Sequence, residues 1–196
     1  MIKKAIIISI VALFWACGHM PQIRYYRLQV PPGKDGSEKS TGQPLYIMPV
    51  QSAPIYQQEK MIYQLSPYEI RFDHYRRWVE PPVKLLRRKA LEYFRSTGVF
   101  SMTTDRPPLD DDFWVLEIDL MDLKEVVDDQ NRSVVFHLRA RFASQAEQQH
   151  IWQGMIEKRQ KIQKPGGDGT AHATSLAIEN AFDELLDHFL QSIGTR

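Results

Sequence analysis

"FWVLEIDLMDL", residues 113–123, alternates apolar and polar side chains closely enough to decide the fold. Trp114, Leu116, Ile118 and Leu120 fall on one side of an extended chain, and Val115, Glu117, Asp119 and Met121 on the other, because successive side chains of a strand point to opposite faces. "SVVFHLRARFA", residues 133–143, repeats the pattern, with Val134, Phe136, Leu138, Ala140 and Phe142 set against His137, Arg139 and Arg141. A third run, "QHIWQGMIEKRQKI", occupies residues 149–162. Polar turns at 128–132 and 144–149 join the three, which therefore read as an antiparallel meander with one face wet.

Helical period flanks this sheet on both sides. After Pro81 and Pro82, apolar residues recur at Val83, Leu86, Ala90 and Phe94, with Lys84, Arg87, Arg88 and Arg95 elsewhere around the wheel, until Gly98 ends the helix. After the meander, "PGGDGT" (165–170) leads into a run whose stripe is Ile178, Phe182, Leu185, Phe189 and Ile193. Thr170 or Thr174 is the expected N-cap there.

Upstream lie "RYYRLQV" (24–30), "PLYIMPV" (44–50) and a hairpin in "MIYQLSPYEIRFD" (61–73) that turns at Ser66 and Pro67. "VFSMT" (99–103) reads as a further short strand. "PPGKDGSEKSTGQP" (31–44) has no apolar period and is expected to be a mobile loop. The order strands, helix, strands, helix predicts an α+β fold: a mainly antiparallel sheet with both helices on one face.

Of 196 residues, 43% are hydrophobic and 25% charged, which fits one domain with a sizeable core. A formal net charge of +1 supplies no global field to attract nucleic acid, and none is expected as a partner.

The N-terminus sets the compartment. Lys3 and Lys4 precede "AIIISIVALFWA" (5–16), an uncharged run too short for the roughly 20 residues that a spanning helix needs, so residues 1–16 read as a removed signal peptide. Ala16-Cys17-Gly18 resembles a bacterial lipobox, in which the cysteine takes a diacylglycerol and becomes the new N-terminus. Trp15 is bulkier than the small residue usual at that place. The other readings of Cys17 are a residue of an ordinary cleaved signal or of an uncleaved anchor. Cys17 is the sole cysteine, cannot form an internal disulfide, and is best explained as a lipidation site. By resemblance to enteric lipoproteins, Gly18 in place of Asp favours the outer membrane. The expected organisation is a leader at 1–16, a lipidated N-terminus and tether at 17–23, and one periplasmic domain at 24–196.

Catalytic patterns are hard to find. Gly166, Gly167 and Gly169 precede a helix, but no Gly-Lys-Ser/Thr follows, so they read as a plain loop. The histidines at 19, 74, 137, 150, 172 and 188 form no His-x-x-x-His pair, and Asp110, Asp111 and Asp112 lack the spaced ligands of a calcium loop. Neither a metal nor a cofactor is expected.

"RFDHYRRWVEPP" (71–82) is basic and aromatic beyond the needs of folding. Trp78 and Tyr75 could be core residues with solvated arginines beside them. Alternatively the stretch is a docking surface, with Arg76, Arg77 and Trp78 as partner contacts, since Tyr, Trp and Arg are the usual interface anchors.

With "YYRL" (25–28), "PVQSAPIYQQEKMIYQ" (49–64), "YRRWVEPP" (75–82), "STGVF" (96–100) and "PGGDGT" in that order, the chain resembles the ABC-type transport auxiliary lipoproteins, the PqiC-like group. The resemblance spans most of residues 25–190. It implies a non-enzymatic lipoprotein held at the periplasmic face of the outer membrane and associated with a transporter containing mammalian cell entry (MCE) domains. The implied partners are the periplasmic MCE protein, its ABC transporter and the membrane through the lipid anchor; the sequence leaves the oligomeric state open, a homo-oligomer included. A regulator of a cell-wall synthase, sharing anchor, linker and small α+β domain, is the alternative.

Overall fold

The computed structural model describes residues 21–128 and 131–194; the leader and Cys17 lie outside the described residues. Nine strands form one sheet: β1 (Arg24–Tyr26), β2 (Leu45–Ile47), β3 (Gln51–Ser52), β4 (Lys60–Ser66), β5 (Glu69–Trp78), β6 (Thr103–Thr104), β7 (Trp114–Asp128), β8 (Asn131–Ser144) and β9 (Gln149–Lys161). Helix α1 (Pro82–Ser96) follows β5, and α2 (Gly167–Gly194) follows β9. The expected α+β order of strands, helix, strands, helix is present.

β7, β8 and β9 form the antiparallel meander. The other edge of β7 was not foreseen. β2 runs parallel to its first residues, β3 to its middle and β4 to its far end, pairing Leu45 with Trp114, Gln51 with Asp119 and Tyr63 with Glu125. One long strand thus serves as a rail for three short ones in succession. β4 then turns back into β5, and β1 adds in parallel to the outer edge of β5.

Both helices cover the same face. Phe142 of β8 lies 6.3 Å from Phe94 of α1 and 4.9 Å from Phe189 of α2, centroid to centroid. Phe182 and Phe100 extend this ring cluster, and all five phenylalanines are buried. Pro82 opens α1 with its φ already helical and no N–H to leave unpaired, and Gly98 closes it at φ +69, a left-handed conformation that suits glycine.

Two local expectations need correction. The 31–44 segment is fixed as a strap across the end of α1: Gly36 N–H donates to Thr97 O at 2.7 Å, Thr41 N–H to Val99 O at 2.8 Å, and Lys34 pairs with Asp183. A Cβ at Gly33 would stand 2.6 Å from Thr97, so the close approach itself requires glycine there. Helix α2 begins at Gly167, so Thr170 and Thr174 lie inside it and donate back to the carbonyls of Gly166 and Thr170 instead of capping.

Candidate docking surface

The basic and aromatic stretch leaves the β4–β5 ladder partway along. Between the pairs Ile62–Phe72 and Lys60–Arg77, Met61 alone stands against Asp73, His74, Tyr75 and Arg76. Asp73 holds this excursion in shape, since its Oδ1 accepts the backbone N–H groups of Tyr75 and Arg76, each at 2.8 Å. A short carboxylate side chain that replaces lost ladder bonds is the usual means of stabilising such a bulge.

The excursion turns Arg76 inward. Its Nε bonds Asp73 at 2.6 Å, and its Nη1 donates to Glu125 Oε2 at 3.0 Å and to Thr170 Oγ1 at 3.2 Å. The Thr170 hydroxyl, whose one proton is shared between Gly166 O and Glu125, lies 2.9 Å from that carboxylate, and Arg132 pairs with its other oxygen. Glu125 is 2% exposed, so this is a charge cluster inside the domain, set beside the first turn of α2, where the helix dipole favours a negative group. Burial alone would push the Asp73 carboxyl up, but the Arg76 hydrogen bond and the two backbone donors outweigh it and hold the group below its ordinary range. Arg76 is likewise held more basic than usual: its ion pairs with Asp73 and Glu125 outweigh its burial.

Glu125 was missed at the sequence level because strict alternation puts it on the wet face. Between Leu120–Leu138 and Asp122–His137 the ladder slips by one residue, Met121. Inward positions on β7 therefore change from even numbers (Leu116, Ile118, Leu120) to odd ones (Leu123, Glu125). One extra residue carries a carboxylate into the core.

Of the three expected contact residues, Trp78 is 4% exposed and packed in the core, Arg76 is engaged in the cluster, and Arg77 is half-buried between Tyr25 of β1 and Lys60 of β4, its Nε buried without a hydrogen-bond partner. Tyr75, the other aromatic, is 48% exposed. The hairpin beyond them exposes Leu65, Tyr68 and Ile70 together at its tip, with Tyr68 at 99%. This tip is an apolar projection with the charge cluster and Trp78 bracing its base.

The wet face of the meander carries an open hollow of about 530 Å³, but its charges are already matched: Arg139 pairs with Asp119 at 2.6 Å, and Arg141 with Glu117. Among the described residues, no group of three or more histidine, cysteine or acidic side chains could hold a metal ion, and no helix is long and apolar enough to cross a membrane. Gly166, at φ +99, and Gly167, packed on Tyr26, form the entry to α2.

A family model described as the ABC-type transport auxiliary lipoprotein component matches residues 26–188. No curated protein matches the sequence. Among solved structures, protein XCC0632 from Xanthomonas campestris superposes with a TM-score of 0.77 at 15% identity, covering 88% of this chain and 98% of that one. A second, titled only as an uncharacterized protein, gives 0.68 at 16% identity, with 88% and 99% covered. The hypothetical protein CT253 from Chlamydia trachomatis gives 0.54 at 10% identity, with 80% and 100% covered. At these identities the likeness is one of fold.

Proposed function

The chain belongs to the family of ABC-type transport auxiliary lipoprotein components, and on that premise we propose that it is a non-enzymatic accessory of an ABC/MCE-type system that moves lipid or another hydrophobic compound between membranes. It is anchored through Cys17 at the periplasmic face of the outer membrane and contacts the periplasmic MCE component. The observation that carries this reading is the extent of the family match, which takes in α1, every strand from Leu45 onward and α2 as far as His188. The exposed β4–β5 tip supports a partner contact there, because Leu65, Tyr68 and Ile70 offer adjoining apolar surface on a braced hairpin. In this reading Arg76 and Trp78 serve the contact indirectly, by fixing the base of that hairpin.

Anchoring makes a modest contact sufficient, since a tethered domain meets membrane-bound partners at raised effective concentration. Acyl chains contribute roughly 0.8 kcal/mol per buried CH₂, and two or three chains hold the protein stably where one would not. Cys17→Ser is therefore expected to abolish incorporation of a clickable fatty acid and release the chain from the membrane fraction, with an unchanged thermal melt. Equal labelling of wild type and variant would contradict the anchor.

A further inference from the structure

Four of the exposed large apolar residues gather at one corner of the sheet: Ile23 (44%), Tyr25 (56%), Tyr75 (48%) and Val79 (44%). Tyr25 pairs with Arg77 across β1 and β5, and Arg77 with Lys60 across β5 and β4, which sets an aromatic ring and two cations in a row on the outward face. Ile23 and Arg27 flank β1, and Val79, which follows β5, donates its N–H to Tyr26 O at 2.9 Å; all three are exposed. Arg24, at the start of β1, is exposed. None of Arg24, Arg27, Lys60 and Arg77 forms an ion pair with a described residue. Of the acids nearby, Glu80 is engaged by Arg88, while Asp168 and Glu179 line a hollow beside Tyr25 and Arg27, so with Glu59 three acids stand against these four cations.

We propose that this corner rests on the phospholipid bilayer, with Arg27 and Arg77 taking anionic headgroups while Ile23, Tyr25 and Val79 enter the interfacial layer. The inference rests on lipidation at Cys17. Ile23 stands six positions after Cys17, and an extended chain covers at most about 3.5 Å per residue, so an acylated Cys17 keeps the corner within about 20 Å of the bilayer. Positive charge draws the corner to anionic lipid over that range, and tyrosine suits the boundary because its body is apolar and its tip polar. The Tyr68 tip stands about 20 Å further along β4 at the usual rise per strand residue. Docking the corner would therefore aim the tip away from the anchor, toward a partner in the periplasm.

The test uses full-length lipoprotein in vesicles of phosphatidylethanolamine and phosphatidylglycerol, with a fluorescent amino acid at Val79 or, as control, at Met155 on the wet face. Brominated lipids should quench the Val79 probe several-fold more than the Met155 probe. Arg27→Gln with Arg77→Gln should lower the ratio of docked to undocked protein about five-fold per arginine. Added salt should weaken the quenching in the same direction. Equal quenching at both probes, or an unquenched Val79 in vesicle-bound protein, overturns the corner. Mass spectrometry reads acylation separately. A chain without acyl groups contradicts the Cys17 reading; in that chain, vesicle binding that vanishes in the arginine variant still supports the corner, and no binding overturns it.

Discussion

Glu125→Ala lowers the melting temperature by roughly 6 to 20 °C, because removing one partner from a buried ion pair costs about 3 to 5 kcal/mol and each kcal/mol shifts a domain of this size by about 2 to 4 °C. The carboxylate is 2% exposed and receives Arg76, Arg132 and Thr170 at once. Its loss leaves Arg76, whose side chain is 16% exposed, with Asp73 as its remaining acid and facing Arg132 across the emptied site. Arg132, at 38%, can turn to solvent, whereas Arg76 cannot without undoing the Asp73 excursion. Adding Arg76→Met to Glu125→Ala should accordingly recover part of the loss, and the double-mutant cycle measures that coupling. A Glu125→Ala melt within a degree or two of wild type would show that the cluster contributes nothing to the fold.

Trp78→Ala is expected to cost about 3 to 5 kcal/mol, the range for deleting a large buried aromatic. The side chain is 4% exposed, and its backbone N–H holds Glu59 O at 2.7 Å, tying the start of β4 to the end of β5. Thermal melting beside partner pull-down separates the two roles open to this residue. The account expects a large drop in stability, with partner capture falling only as far as the folded fraction falls. Unchanged stability with lost capture would make Trp78 a docking anchor after all.

The meander and both helices are legible in the sequence because each runs long enough for its period to show. In β8, Phe136 through Phe142 alternate without a break, and all of Phe136, Leu138, Ala140 and Phe142 are buried. The rail arrangement along β7 is not legible, since β2 and β3 contribute only three and two residues, too few for a period to form. The charge cluster escapes for a different reason. Arg76, Glu125 and Arg132 each look like surface residues in isolation, and only the slip at Met121 and the Asp73 excursion bring them together. The strap at 31–44 has the composition of a loop and is one; what fixes it is backbone pairing with residues about 60 positions away, which composition does not encode.

In-cell crosslinking from a photoreactive amino acid at Tyr68 tests the central claim most directly, because Tyr68 is 99% exposed and its replacement leaves the core untouched. The account predicts an adduct with the periplasmic MCE-domain protein, reduced in an Arg27→Gln, Arg77→Gln background in which the corner no longer aims the tip. Adducts only with cell-wall synthases would contradict the transport role and favour a regulator of wall synthesis.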